Sequence, residues 1–195
     1  MRKLPDGRPL EIIVETAGES SEQTDVLELI RETWREVGIK LFSKPSQRVA
    51  LRNRIFAGET VMSVWFGLEN GLPTPDSSPD ELAPTSQQQL QWPKFGEYYE
   101  TGGRKGEAPD IREVKELAQL YRDWAAAKTT DERAVIWHKM LRVHVEQQYV
   151  IGVVSGVPQP VVVRDTLMNV PTRGFYNWDP GAFFGIYRPE TFWFK

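Results

Sequence analysis

The chain contains no cysteine. Disulfides, thiolate nucleophiles and cysteine-based metal sites are therefore excluded, and the absence suits an exported protein without establishing export. Histidine is nearly as scarce, with two residues in 195. Both, His138 and His144, fall on one expected helix but on different faces, and neither belongs to an HExxH pattern. Charge of one sign is also missing. The 24 basic and 27 acidic side chains are well mixed for a net charge of −3, so no electrostatic stripe for nucleic acid is present. No apolar run approaches the ~18 residues of a membrane span. The start, Met1-Arg2-Lys3-Leu4-Pro5-Asp6-Gly7, has no apolar stretch behind its charges and does not read as a secretory leader. It reads as a turn into a strand, as if a longer chain began upstream.

Catalytic constellations are absent too. Ser155 sits in Gly-Val-Val-Ser-Gly, which is not a nucleophile elbow. Asp76, Asp80 and Glu81 form an acidic loop cluster with no partner base, and a solvated loop is the favoured reading. Gly102-Gly103-Arg104-Lys105-Gly106 lacks the spacing of a phosphate loop and reads as a turn. No catalytic residue, metal ligand or cofactor is expected.

With 40% apolar residues the chain can bury a core. Leu10–Glu15 is short and β-branched, hence a strand. A helix follows from about Gln23 to Val37, with Val26, Ile30, Trp34 and Val37 on one face and Gly38 as its stop. Ile39–Phe42 forms a second strand, making a βαβ unit. A second helix runs from Gln47 to Ala57 with Ser46 as N-cap, and Thr60–Phe66 is a third strand. From Gly67 to Gln91 the prolines and polar residues indicate a long loop, functional or a lid. Two long helices come next, one capped by an Asp110-x-x-Glu113 box and one by Thr129-x-x-Glu132. Tyr149–Val154 and Pro160–Val163 read as strands, the first buried. The remainder is irregular, with nine aromatics between Phe175 and Phe194.

The order of these elements resembles solute-binding protein family 5, the oligopeptide/dipeptide-binding capture subunits of ABC importers. The residues that carry the likeness are Leu4-Pro5-Asp6-Gly7, Glu36-Val37-Gly38-Ile39-Lys40 and Met62-Ser63-Val64-Trp65. Further along they are Trp92-Pro93, Tyr98-Tyr99-Glu100-Thr101-Gly102-Gly103, Gly156-Val157-Pro158-Gln159-Pro160 and the ending Pro189–Lys195.

The resemblance implies an α/β fold: a periplasmic-binding-protein-like class II lobe, a mixed sheet flanked by helices, with an irregular aromatic tail. Residues 1–150 would form most of the C-terminal lobe, 151–163 the hinge-crossing strands, and 164–195 a tail returning to a missing N-terminal lobe. Ligand would be held without catalysis between lobes, outside the cytoplasm, in a periplasmic or membrane-anchored protein that works with permease subunits. Peptide binders of the family carry an aspartate after the Trp-bearing strand. Here Trp65 is followed by Phe66-Gly67-Leu68-Glu69-Asn70, so Glu69 would have to meet a peptide ammonium. Otherwise the solute is an oligosaccharide, which suits aromatic platforms and amides. The expected ligand-binding residues are Trp65, Glu69, Asn70, Trp92 and Tyr98.

Overall fold

The computed structural model describes residues 1–65, 67, 73–154, 158, 160–174 and 187–195. The chain divides into two compact units, Met1–Trp65 with Ala83–Ala118, and Phe66–Leu82 with Gln119–Lys195.

The first unit is built on three parallel strands, β1 (Glu11–Thr16), β2 (Lys40–Pro45) and β3 (Met62–Ser63), in the order β2-β1-β3. Helix α1 (Ser21–Glu36) links β1 to β2, and α2 (Arg48–Ala57) links β2 to β3. The two crossovers run in opposite directions, from β1 to β2 and then from β2 past β1 to β3. If both are right-handed, as such crossovers nearly always are, the helices cover opposite faces. Alternation along β1 agrees with this. Ile12 and Val14 pack with Leu27, Ile30 and Trp34 of α1 and with Leu41 of β2. Ala17 packs with Leu51 and Ile55 of α2, and Glu15 also turns toward α2.

Local chemistry explains the helix limits. Ser20 caps α1, its hydroxyl accepting from Gln23 N at 3.3 Å. Gly38, at φ 84°, ends it, and Ile39 N then bonds back to Trp34 O at 2.9 Å. A left-handed residue at this point is what a Schellman-type ending requires. The N-cap of α2 is Gln47 rather than Ser46, and it makes no side-chain capping bond. The expected strand Thr60–Phe66 shrinks to Met62–Ser63, with Phe66 outside the described residues. An additional helix, α3 (Pro93–Glu100), begins with proline at its first turn and packs on α2. Helix α4 (Arg112–Ala126) starts two residues beyond Asp110, and Glu113 pairs with Arg112 rather than closing a box.

In the second unit, α5 (Thr130–Gln147) carries the full expected box. Thr129 Oγ1 accepts from Glu132 N at 3.2 Å, and Glu132 Oε2 accepts from Thr129 N at 3.3 Å. Thr129→Ala should cost about 1 kcal/mol in urea unfolding, the usual worth of such a cap. On α5 Met140 is completely buried, and Trp137 and Val143 of the same helix are buried too.

The long loop differs from a free lid along its described part. Trp124 and Trp137 donate their indole N–H groups to the carbonyls of Pro75 and Ser77, at 2.8 and 3.2 Å. Arg133 and Thr130 hold the Asp76 carboxylate at 2.8 and 2.9 Å, and Pro79 and Leu82 are buried. The loop is fastened down because its carbonyls find ring N–H partners.

Two expected strands are not observed. Tyr149–Val154 and the described part of Pro160–Val163 have no strand pairing, and Val154 and Val162 are 74% and 95% exposed. A β-branched segment becomes a strand only where a neighbour supplies backbone partners. Near the end of the chain, β4 (Leu167–Met168) and β5 (Trp193–Phe194) pair antiparallel, and Asn169 Nδ2 donates to Thr191 Oγ1 at 2.8 Å. The tail therefore folds back on itself at this point, while 175–186 lies outside the described residues.

Candidate functional site

In open parallel sheets, ligands meet the carboxyl ends of the strands where the strand order reverses direction. Here that place is the end of β1, flanked by β2 and β3. Three segments leave the sheet there: residues 17–20 after β1, 46–47 after β2, and Val64-Trp65 after β3. The first two, with the start of α2, line an open cleft of about 650 Å³, bounded by Ala17–Glu19 and Pro45–Val49.

Trp65 is half-buried at this edge. Arg48 and Arg52, one turn apart on α2, each place their guanidinium 5.7 Å from the centre of its ring. Arg52 stands at the same distance from Phe56. The two cations differ in partners. Arg48 grips Glu19 through Nη2 at 2.6 Å and Nε at 3.0 Å. Arg52 donates to the neutral Gln88 Oε1 at 2.6 Å.

The other expected site residues are placed differently. Trp92, at the N-cap of α3, is 7% exposed, so its ring is covered by protein. Tyr98 is half-buried within α3, and a Cβ on Gly103 would lie 3.2 Å from its hydroxyl. Glu69 and Asn70 lie outside the described residues. Sequence reading missed Arg48 and Arg52. Their signal was the Arg-x-x-x-Arg spacing at the start of a helix that leaves a parallel strand's carboxyl end.

The weaker candidates are occupied by structural tasks. Arg133 and Thr130 hold the Asp76 carboxyl below the usual carboxylate range. The glycine-rich turn is tied to α3: Thr101 Oγ1 accepts from Lys105 N at 3.0 Å and donates to Glu97 O at 2.7 Å. Among the described residues, no three carboxylate or histidine side chains gather as a metal site would require.

No family model and no curated protein matches the chain. Among solved structures it is similar to the oligopeptide-binding protein OppA, with 24% identity and a TM-score of 0.62 over 76% of this chain and 25% of that one. A second match is to NikA from Brucella suis in complex with Fe(III)-EDTA, at 20% identity and a TM-score of 0.49, covering 73% of this chain and 25% of that one. The chain thus spans about a quarter of the length of these structures. Over three-quarters of its own length its fold, a parallel α/β sheet flanked by helices, is that of part of the OppA structure.

Proposed function

We propose that this chain is part of the substrate-binding component of an ABC importer, a non-catalytic protein that captures an oligopeptide in a cleft between two lobes. The observation that carries this reading is the shared fold with OppA across 76% of the chain. Residues 1–150 would be one lobe, 151–163 the crossing, and 164–195 the return to a second lobe. The exposed valines of 149–154 and 161–163 support that division, because contiguous apolar surface of this kind usually has a partner. Capture would rest on aromatic contact and buried hydrogen bonds, and closure would report occupancy to permease subunits outside the cytoplasm. The half-buried Trp65 also supports an oligosaccharide as solute, since an indole face suits a sugar ring.

Native mass spectrometry of the complete two-lobe protein, purified gently, tests both. A co-purified mass resolving into amino-acid residues is the expected result. A ladder of hexose steps would replace peptide by sugar. Tight solute binding by this chain alone, measured calorimetrically, would remove the need for an opposing lobe and overturn the reading.

A further inference from the structure

The turn ahead of β1 contains an Asp6-Gly7 step, and a backbone can rearrange by itself at such a step. The Gly7 amide nitrogen attacks Cγ of the neutral Asp6 carboxyl. A C–N bond forms, and the carboxyl hydroxyl leaves with the amide proton as water. Water then reopens the succinimide at either carbonyl. One opening restores aspartate; the other gives isoaspartate, whose main chain runs through Cγ and is one carbon longer. Sterics do not prevent this here. A Cβ built on Gly7 would meet nothing within 4 Å, and the Asp6 side chain is 49% exposed to solvent. The restraints are polar, and they act on both reacting groups. Gly7 N donates to Leu4 O at 2.9 Å. Asp6 Oδ1 accepts from Arg8 N at 3.0 Å, while Oδ2 accepts from Arg8 Nε at 2.8 Å and pairs with Nη2 at 2.7 Å. Attack requires the carboxyl to leave this clamp and the nitrogen to leave Leu4. Hydrogen bonding from the Arg8 side chain also holds the Asp6 carboxyl below its usual range, because it favours the ionised form, which is the poorer target for a nucleophile.

We propose that Asp6-Gly7 is a site of spontaneous isomerisation and that Arg8 guards it. The fold depends on what this turn holds. Lys3 and Pro9 pair across it. Leu4 N donates to Arg8 O at 2.8 Å, Leu10 N donates to Arg2 O at 2.9 Å, and Arg2 N donates to Gly38 O at 2.7 Å. An extra backbone carbon between Leu4 and Arg8 puts this ladder out of step and releases Arg2 from the Gly38 stop.

The test ages the full chain at neutral pH and constant temperature, once folded and once in urea. Isoaspartate is measured peptide by peptide with electron-transfer fragmentation, so that Asn70-Gly71 is scored apart from Asp6-Gly7. Folded Asp6 should convert roughly tenfold more slowly than in urea, since several hydrogen bonds must open first. Arg8→Gln should raise the folded rate roughly threefold, the size that an exposed ion pair allows, and leave the rate in urea unchanged. Arg8→Lys should fall between the two, with circular dichroism confirming that both variants fold. Hydrogen exchange on the isolated isoaspartyl form should show lost protection at the Arg2 and Leu4 amides, with β1 and β2 unaffected. Equal rates when folded and in urea overturn the proposal. So does an Arg8→Gln rate that is unchanged when folded, or raised equally in urea. Full protection at Arg2 in the isoaspartyl form overturns the consequence for the fold.

Discussion

Gly96→Ala is expected to destabilise the first unit severely. Gly96 is buried in the middle of α3. A Cβ at this position would fall on the backbone carbonyl of Ser86 and come within 2.7 Å of Gln87 N. The obstacle is main chain, so no side-chain rotation relieves it. The Ser86 segment is itself pinned: Ser86 Oγ donates to Glu100 Oε1 at 2.6 Å, and Gln87 N donates to Glu100 Oε2 at 3.2 Å. Helix and loop approach this closely only because one methyl group is missing. Adding it forces the two apart and breaks those bonds. Overpacking by a methylene commonly costs 1–3 kcal/mol where side chains can yield. Here they cannot, and the loss should be about 3 kcal/mol or more in urea unfolding. Gly152→Ala is the matched control, since a Cβ there meets nothing within 4 Å. An unchanged unfolding midpoint for Gly96→Ala would mean that the helix does not touch this loop.

That glycine also marks where the sequence was hard to read. Helix α3 is short, opens with proline and carries glycine at its centre, so it lacks the periodic stripe that identifies a helix. Its stability comes from contacts with residues distant in sequence. Local chemistry, by contrast, was legible. The Thr129-x-x-Glu132 box and the Gly38 stop are complete within a few residues, and both appear as expected. The β1-α1-β2 unit was legible because a β-branched run, an amphipathic stretch and a second short run follow one another directly.

The segments 149–154 and 160–163 failed for the opposite reason. Their composition suits a strand, but pairing is a property of two segments, and the described residues provide no second one. The site divides in the same way. Trp65 was expected from the family resemblance, and it stands two residues beyond β3. The burial of Trp92 depends on three-dimensional packing that spacing does not encode. Arg48 and Arg52 looked like ordinary surface charges until the sheet order brought Trp65 against them.

Removing Arg54 should be the second large loss, and its pH dependence gives it a signature. Glu15 is the last residue but one of the central strand, and its side chain is 5% exposed. Arg54 of α2 grips it with both ends of the fork, Nε at 2.9 Å from Oε2 and Nη2 at 3.0 Å from Oε1. Thr60 Oγ1 adds a donor at 3.3 Å, and Lys44 stands 3.7 Å away. Hydrogen bonding from Arg54 is the main reason that the Glu15 carboxyl is held below its usual range, against the opposing effect of burial. Breaking a buried pair from one side typically costs 3–5 kcal/mol, because the remaining charge is stranded. Arg54 is 36% exposed and Lys44 stays behind, so solvent screening should make Arg54→Met cost less than the loss of one partner of a fully buried pair. A carboxylate with a depressed folded-state pKa contributes its stability above the unfolded value, near ~4.3. That contribution is lost as pH falls through the folded value. Unfolding free energy of the parent protein should therefore be flat near neutrality and decline below about pH 5. In Glu15→Gln this share of the decline disappears, and in Arg54→Met it shrinks, since the pair no longer favours the ionised form. Equal acid slopes in all three proteins would show that the fork does not govern the ionisation of Glu15. The same fork ties α2 to the central strand. It thereby helps to set where Arg48 and Arg52 stand beside Trp65.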